Sequence, residues 1–505
     1  MQKKRVGFAS GIGFILSAAG SAVGLGNLWA FPYKTSANGG AAFVFLYVIS
    51  VLVVGLVTMI AEIFIGKRTQ ANAVTAYKAV SGKLGWLGLV AILIPTVIAC
   101  YYSVLGGYTV KFALNSFVGN AGHFETFAGN KGDVILSSAI FIALAMVIIM
   151  GGVKDGIEKA SKVLMPALFL ILVAIVVYSL TLGEGVSEGL SFYLRPDFSV
   201  ITWRSVLAAL GQAFYSLSLG MGIMITYGSY AGNETDLLRS TVMICLFDTL
   251  VALLGGLAIF PAVFHYSTVN GIPADRIGMG GKGLMFQTLP YVFEDMGAVG
   301  QIVSFFFFSM VIIAAVTSVI SLLEVATQFI IQCSRGDRRR CTAIVAAVCF
   351  AVSIPVGISQ GMVLNGDDSF TLFGMDLLSL LDTVTNTVLM PVLAFLGCIC
   401  VGWVIGGEKA VREIEAGGTP MGRFGKVFAV MVRYITPLLI AVVELFGVFD
   451  LILPADGSGR RFDADGLGIV LTSVALLVLC AAVYAVFFRR RDTGTNEDER
   501  PAVQE

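Results

Sequence analysis

Charged residues are scarce in this 505-residue chain, at 13% of the sequence, and only two residues are histidine. Soluble domains usually carry about 25% charged residues, so this composition excludes a water-soluble enzyme. Lysine plus arginine and aspartate plus glutamate number 33 each, which leaves no net charge to attract nucleic acid. Eight cysteines in a chain of this length are too few for a disulfide scaffold.

Apolar residues, in contrast, make up 57% of the sequence, and the mean hydropathy is +0.88. A membrane-spanning helix needs about 20 mostly apolar residues, and such runs occur repeatedly between charged or Gly/Pro-rich breaks. They predict an all-α polytopic membrane protein with twelve spans, numbered here spans 1 to 12. The predicted spans are 8–35, 41–66, 86–117, 134–151, 161–182, 202–230, 241–264, 298–331, 342–360, 375–405, 428–449 and 467–488.

Lysine and arginine are concentrated in alternate connecting segments, which hold 23 of the 33 basic residues together with the two termini. Cytoplasmic segments of membrane proteins are enriched in these residues. We therefore expect a cell (inner) membrane protein with both termini in the cytoplasm. Residues 1–490 would form a single transmembrane domain and residues 491–505 a polar tail. Arg460 and Arg461, in the last outer loop, go against the trend.

Two spans contain glycine-rich stretches at membrane depth, where glycine costs about 1 kcal/mol relative to alanine in a helix. Span 1 reads GSAVGLGN over residues 20–27, and span 6 reads SLSLGMG over residues 216–222. Spans 1 and 6 are the first helices of two possible five-helix halves, at about 8–182 and 202–405. Two further helices follow at about 428–488. Interrupted helices at matching positions of two halves indicate a transporter's binding site. Close helix packing at small residues is the alternative.

The motif GSAVGLGNLWAFPY at residues 20–33, followed by NGG at 38–40, resembles the neurotransmitter:sodium symporter family, and in particular its bacterial amino-acid transporters. The motifs GQAFYSLSLG at 211–220 and AAVTS at 314–318 add to the resemblance, which covers nearly the whole chain. It implies an inverted five-helix repeat (spans 1–5 and 6–10) with discontinuous helices 1 and 6. It also implies sodium coupling and alternating access.

The resemblance implies two sodium sites, in agreement with the preference of hard cations for oxygen ligands. The first comprises Ala22, Asn27, Ser216 and Asp248; the second comprises Gly20, Val23, Ala314, Thr317 and Ser318. A lone carboxylate inside a span, as at Asp248, costs about 2.5–3.5 kcal/mol, which favours a functional role. The alternatives are that Asp248 bonds to a neighbouring helix and that Thr317 and Ser318 bond to carbonyls one turn earlier.

The family's monoamine carriers have an aspartate where this chain has Gly24, so a substrate with its own carboxylate fits better. The resemblance implies that this carboxylate meets the amides of Leu25 and Gly26 and the hydroxyl of Tyr102. The other predicted substrate-binding residues are Ser21, Ala22, Ile98, Tyr215, Ser216, Ser218, Met221, Ser318 and Leu322. This uncharged lining favours a neutral, hydrophobic or aromatic L-amino acid.

Chloride-dependent members of the family have a serine at the position of Ala252, so we expect chloride independence. Six further residues are expected to gate the pathway or to support the site. They are Arg5, Lys34, Glu62, Tyr230, Glu324 and Asp382.

The family's outer gate pairs a helix-1 arginine with the equivalent of Asp382, but here that position is Ala30, which makes Lys34 the candidate substitute. Arg5 matches a basic residue of the family's inner gate, but the position of its usual acidic partner is occupied here by Gln332. We expect Glu62 to accept hydrogen bonds from the opened backbone of span 6 and Glu324 to support the same polar layer. Either acid could instead simply link helices.

The sequence therefore predicts a sodium-coupled symporter that imports an amino acid, and not an enzyme. Its expected partners are Na⁺, the amino-acid substrate and the lipid bilayer, with no nucleic acid. A carrier of betaine, a γ-amino acid or a monoamine on the same fold is the first alternative, and an ion channel is a remote one.

Overall fold

The computed structural model describes residues 7–117, 124–232, 234–272, 283–456, 459–460 and 462–488. Ten helices in these ranges are long and apolar enough to cross a membrane. They are Ala41–Thr69, Gly85–Ser116, Lys131–Met150, Val153–Ser179, Leu237–Val269, Gly297–Ser334, Arg338–Leu364, Leu377–Ala416, Gly422–Ile452 and Ala464–Phe488.

Two further helices are broken. Span 1 consists of Gly11–Ala22 and Gly26–Ala37, with a bend of 46° between them. Span 6 consists of Trp203–Ser216 and Ile223–Tyr230, separated by residues 217–222. The ten continuous and two broken helices follow the predicted spans in order. The all-α class and the discontinuous helices 1 and 6 are therefore confirmed.

Several spans are longer than predicted, because helical turns with charged residues continue beyond the apolar runs. Span 5 begins at Val153 instead of 161, and span 10 runs to Ala416 instead of 405. A π-helical stretch, Val153–Glu158, lies in the extension of span 5, and another, Cys400–Gly406, directly precedes the extension of span 10.

Short elements connect the spans. The helical ones are Ala73–Val80, Phe124–Gly129, Val186–Leu194, Phe198–Val200, Leu284–Thr288, Leu289–Asp295 and Asp368–Phe370. Two strands of two residues, Ala455–Asp456 and Gly459–Arg460, pair antiparallel before span 12.

Polar contacts define the two ends of the helix bundle. At one end, called the basic end below, Lys67 donates to the carbonyl of Thr235 at 2.6 Å. Arg68 pairs with Glu413 at 2.7 Å at the same end. At the other, called the opposite end, Lys111 pairs with Asp133 at 3.1 Å and Arg204 with Asp450 at 3.7 Å.

The helices differ in how deeply they are buried. The most apolar windows of spans 8 and 3 are 78% and 72% buried, whereas those of spans 11 and 12 are 22% buried. Spans 3 and 8 thus lie at the centre of the bundle beside the broken helices, and spans 11 and 12 lie at its periphery.

Candidate functional site

The break in span 1 redirects two backbone N–H groups toward side chains. Gly24 N donates to Oδ1 of Asn27 at 3.0 Å, and Leu25 N donates to the hydroxyl of Tyr102 at 3.0 Å. In an uninterrupted α-helix these donors would bond to carbonyls four residues earlier. The carbonyls of residues 20 and 21 are thus released from helical pairing.

The break in span 6 is made of residues in the left-handed region. Ser218, Gly220 and Gly222 have φ values of 54°, 68° and 69°, which costs little for glycine but strains serine. The freed N–H of Gly220 donates to Oε1 of Glu62 at 2.7 Å. This contact is the one expected for Glu62, which is buried beside the opened backbone.

Serine hydroxyls join the two breaks. Ser218 donates to the carbonyl of Ser21 at 3.0 Å, and Ser318 donates to the same carbonyl at 3.1 Å. Ser318 also lies within 3.2 Å of the carbonyl of Val23. Spans 1, 6 and 8 therefore converge where both helices are open.

Three of the residues predicted for the first sodium site form a fully buried cluster. Ser216 donates to Oδ2 of Asp248 at 2.7 Å, and Nδ2 of Asn27 donates to Oδ1 of Asp248 at 2.8 Å. A buried carboxylate and a hydroxyl are donors that suit Na⁺. Asn27 presents its amide nitrogen, so half a turn of that amide would bring its oxygen toward a cation. Ala22, the fourth residue, lines the cavity described below.

Two residues with no predicted role complete this region. The hydroxyl of Tyr47 lies 3.2 Å from Oδ2 of Asp248, and Nε2 of Gln212 donates to the carbonyl of Gly26 at 2.8 Å. Gln212 lies in the motif at residues 211–220, and this motif is the feature of the sequence that could have indicated a role for it. Tyr47 is one hydroxyl among apolar residues of span 2, and the sequence does not indicate which helix it faces.

The residues predicted for the second sodium site also come together, between spans 1 and 8. Thr317 donates to the carbonyls of Ala314 and Ile313 at 3.0 Å each, which is the local bonding considered as its alternative role. A Cβ on Gly20 would lie 3.3 Å from Cβ of Thr317. Together with the contact between Ser318 and the carbonyl of Val23, oxygen atoms from spans 1 and 8 surround the space between the two helices. Such a set of oxygen donors fits Na⁺.

A narrow cavity of about 30 Å³ lies where the breaks meet. Ten of the twelve predicted substrate-binding residues line it; Leu25 and Ser216 do not. None of the lining side chains is charged. The lining residues are Ser21, Ala22, Gly24, Gly26, Ile98, Tyr102, Tyr215, Ser218, Met221, Ile223, Ser318 and Leu322.

Gly24 was singled out as the position of an aspartate in monoamine carriers, and its surroundings leave no space for a side chain. A Cβ there would lie 2.3 Å from Oγ of Ser318 and 2.8 Å from the hydroxyl of Tyr102. Both distances are below van der Waals contact. The chain therefore requires glycine at this position unless the neighbouring side chains move.

A wide cavity of about 610 Å³ lies toward the opposite end, and Tyr215 lines both cavities. Lys34 and Asp382 line the wide cavity. The expected outer pairing of Lys34 with Asp382 stays a prediction, and the ammonium of Lys34 lies over the ring of Tyr215, 5.8 Å from the centroid. Asp382 accepts a hydrogen bond from Asn386 at 2.5 Å.

At the basic end, Glu324 accepts a hydrogen bond from the hydroxyl of Tyr230 at 2.6 Å and an ion pair from Arg338. Arg338 also donates to the carbonyl of Ile149 at 2.9 Å. The expectation that Glu324 supports the same layer as Glu62 is therefore corrected. Glu62 contacts the backbone of Gly220, which precedes the helix Ile223–Tyr230, whereas Glu324 contacts Tyr230 at the last residue of that helix.

Arg5, predicted as a gate residue, lies outside the described residues. The position predicted to face it, Gln332, accepts hydrogen bonds from the backbone N and side-chain Nδ2 of Asn72. Sequence reasoning assigned no role to Arg338, which was counted only among the basic residues of a connecting segment.

Comparison with known proteins gives one consistent result. The family model described as "Sodium:neurotransmitter symporter family" matches residues 5–126 and 123–490. The chain is 35% identical over 460 residues to an uncharacterized sodium-dependent transporter, YhdH, of Bacillus subtilis, covering 88% of this chain and 98% of that protein. It is 31% identical to an uncharacterized sodium-dependent transporter of Haemophilus influenzae, covering 88% and 99%.

A solved structure, MhsT in complex with L-phenylalanine, superposes with a TM-score of 0.79 at 34% identity. The match covers 88% of this chain and 100% of that one. The chain belongs to the sodium:neurotransmitter symporter family, and it is a sodium-dependent membrane transporter rather than an enzyme.

Proposed function

We propose that this transporter imports a neutral, hydrophobic or aromatic L-amino acid together with sodium, by alternating access. The basic end would face the cytoplasm and the opposite end the outside, as the distribution of lysine and arginine favours. The single observation that carries the proposal is the uncharged cavity at the meeting point of the two breaks. A charged substrate side chain would have no counter-charge there.

The backbone of the breaks supports a zwitterion. The N–H groups near Leu25 begin the second half of span 1, where the helix dipole favours a negative group. Tyr102 accepts the N–H of Leu25, so its own hydroxyl proton can be donated to a carboxylate. Carbonyl oxygens near Ser21, released by the break, suit the ammonium group.

The apolar end of the cavity supports a hydrophobic substrate side chain. Ile98, Met221, Ile223 and Leu322 line it, and methionine adapts its shape to different neighbours. The cavity holds no more than a few water molecules at its present size, so these side chains must move to admit an amino acid. The complex of MhsT with L-phenylalanine supports the same class of substrate.

We further propose that transport does not depend on chloride. The buried carboxylate of Asp248 already supplies a negative charge beside the first sodium site. Ala252, one turn later in span 7, is fully buried and offers no hydroxyl to an anion. Each Na⁺ entering an inside-negative cell then contributes about 2.3 kcal/mol per 100 mV.

The proposal is tested by uptake into proteoliposomes with an imposed sodium gradient, using twenty labelled amino acids in separate assays. We expect saturable, sodium-dependent uptake of one or more neutral apolar amino acids. Replacement of chloride by gluconate at constant sodium should leave the rate unchanged. Asp248→Ala, which removes the carboxylate, should raise the sodium requirement or abolish uptake.

Two controls separate the alternatives. Competition by betaine, γ-amino acids and monoamines identifies a same-fold carrier of another solute. Sodium flux without saturable solute uptake would indicate a channel. If no amino acid is accumulated while betaine or an amine is, the substrate proposal is wrong but the sodium coupling stands.

A further inference from the structure

A second large recess, distinct from the transport pathway, lies at the basic end between spans 10 and 11. Its volume of about 660 Å³ falls in the range of about 300–1,000 Å³ typical of ligand pockets. The two helices touch at its floor: a Cβ on Gly402 would lie 2.7 Å from Cα of Arg433, and one on Gly407 would lie 2.8 Å from the carbonyl oxygen of Ala429. We call this recess the basic groove.

Basic side chains dominate this groove. Arg412, Lys426 and Arg433 line it together with one acid, Glu408. Among the described residues, no carboxylate pairs with any of these three cations. The nearby Glu413 is already paired with Arg68. The groove therefore presents unbalanced positive charge.

Arg433 is held in place by aromatic rings. Its guanidinium lies 5.1 Å from the ring centroid of Trp403 and 5.3 Å from that of Tyr434. The indole N–H of Trp403 donates to the backbone carbonyl of Arg433 at 2.7 Å. An arginine inside a spanning helix is costly and indicates a functional role. The rings orient this cation and leave its N–H donors available.

The groove lies beside exposed apolar and aromatic side chains of spans 10 and 11. Trp403 and Tyr434 are about half exposed, as are Val404, Val427 and Val430 beside them. Span 11 is one of the two least buried spans. Tryptophan and tyrosine are enriched at the interface between the bilayer and water. The cations thus lie next to the region that acyl chains occupy.

We propose that the basic groove binds an anionic phospholipid of the cytoplasmic leaflet. Its phosphate would pair with Arg412, Lys426 and Arg433, and its acyl chains would cover the exposed valines and rings. Basic pockets between helices on the cytoplasmic side suit such headgroups. The leaflet assignment rests on the orientation given under the proposed function, whereas the binding itself does not.

Native mass spectrometry of the delipidated full-length protein in detergent tests this proposal, with phosphatidylglycerol or phosphatidylcholine as added lipid. We expect one tightly held phosphatidylglycerol and at least tenfold weaker retention of phosphatidylcholine. The variant Arg412→Gln/Lys426→Gln/Arg433→Gln should bind phosphatidylglycerol about 100-fold more weakly, at roughly fivefold per charge.

The matched control is Lys154→Gln/Lys159→Gln/Arg340→Gln, which removes three exposed positive charges at the same end but outside the groove. It should retain phosphatidylglycerol like the unaltered protein. Equal loss in both triple variants would overturn the proposal, because it would indicate general attraction to positive charge. Equal binding of the two lipids by the unaltered protein would also overturn it.

Two further arms identify other occupants. Inorganic phosphate at millimolar concentration should not displace the lipid, and full displacement would mean that the groove takes free phosphate. A chain shortened after residue 490 lacks the acidic segment that includes Asp492, Glu497 and Asp498. If only that chain binds phosphatidylglycerol, the segment and not a lipid is the natural occupant, and the proposal is wrong.

Discussion

The two ends of the transport pathway are built differently. At the basic end, a fully buried carboxylate, Glu324, is held by Tyr230 and Arg338, and Arg338 is also bonded to the carbonyl of Ile149. At the opposite end, a cavity of about 610 Å³ separates the helices. Lys34 contacts an aromatic ring there.

The basic end thus holds an ion pair with a fully buried carboxylate, whereas the ion pair of Arg204 with Asp450 at the opposite end is partly exposed. A desolvated charge that loses its partner is costly, so separation of spans 4, 6, 8 and 9 requires that Glu324 find water or another cation. A cation over a ring, beside a wide cavity, loses little when the ring moves. We expect the opposite end to open more readily than the basic end.

Arg338→Gln should have the largest effect, because it leaves the carboxylate of Glu324 buried without its cation. We expect the free energy of unfolding in detergent to fall by about 3–5 kcal/mol. Denaturant titration monitored by tryptophan fluorescence measures this. Arg339→Gln, at an exposed neighbour, is the control. An equal, small effect of both variants would show that the ion pair does not hold the basic end closed.

Tyr230→Phe removes only the hydroxyl that donates to Glu324 at 2.6 Å. Hydrogen bonds to charged groups contribute about 1.5–3 kcal/mol, so the same titration should show a smaller loss than for Arg338→Gln. Tyr434→Phe, at an exposed tyrosine, should change nothing. If Tyr230→Phe lowered the free energy of unfolding more than Arg338→Gln, the hydroxyl and not the ion pair would contribute most to the stability of this end.

Gly24→Ala tests how tightly the helices are packed in the middle of the pathway, between the closed basic end and the wide cavity. The added methyl would lie within 2.8 Å of the oxygens of both Ser318 and Tyr102, and overpacking costs about 1–3 kcal/mol. We expect amino-acid affinity to fall about tenfold or more in equilibrium binding at saturating sodium. Gly11→Ala, with no atom within 4 Å of the new methyl, should bind normally.

Lys34→Gln should have the smallest effect, since a partly exposed cation over a ring contributes about 0.5–1 kcal/mol. Amino-acid affinity should weaken about two- to fivefold in the same binding assay. Arg204→Gln, in the same cavity, should change affinity less. A loss of tenfold or more with Lys34→Gln would mean that Lys34 contributes more to substrate binding than a contact between a cation and a ring supplies.

The broken helices were predictable because their cause is local. Glycine and small polar residues between 20 and 27 and between 216 and 222 weaken a helix wherever it lies, and the structure opens both. The lining of the narrow cavity was predicted from the resemblance, because matching motifs place the same positions on the same helix faces. The ends of the spans were predicted less well, because segments with charged residues remain helical before residue 161 in span 5 and after residue 405 in span 10.

Partners across helices could not be read in the same way. Successive residues turn by about 100° around a helix, so a small rotation decides whether Tyr47 faces Asp248 or lipid. Arg338 lies beyond the end of span 8 and the turn that follows it, and only this turn brings its side chain back to Glu324. Lys34 and Asp382 line the same cavity, but the contact of Lys34 with the ring of Tyr215 could not be predicted from the sequence, because the reach of a flexible stem depends on its neighbours.

Tyr215 lines both the wide cavity and the narrow one, so a solute arriving from the opposite end meets the same ring twice. The ring must move aside to admit the solute, and afterwards it forms part of the surface that encloses it. Under the proposed function, one side chain therefore contributes to both entry and recognition. We expect a change in its mobility to alter both how fast a solute arrives and how long it stays.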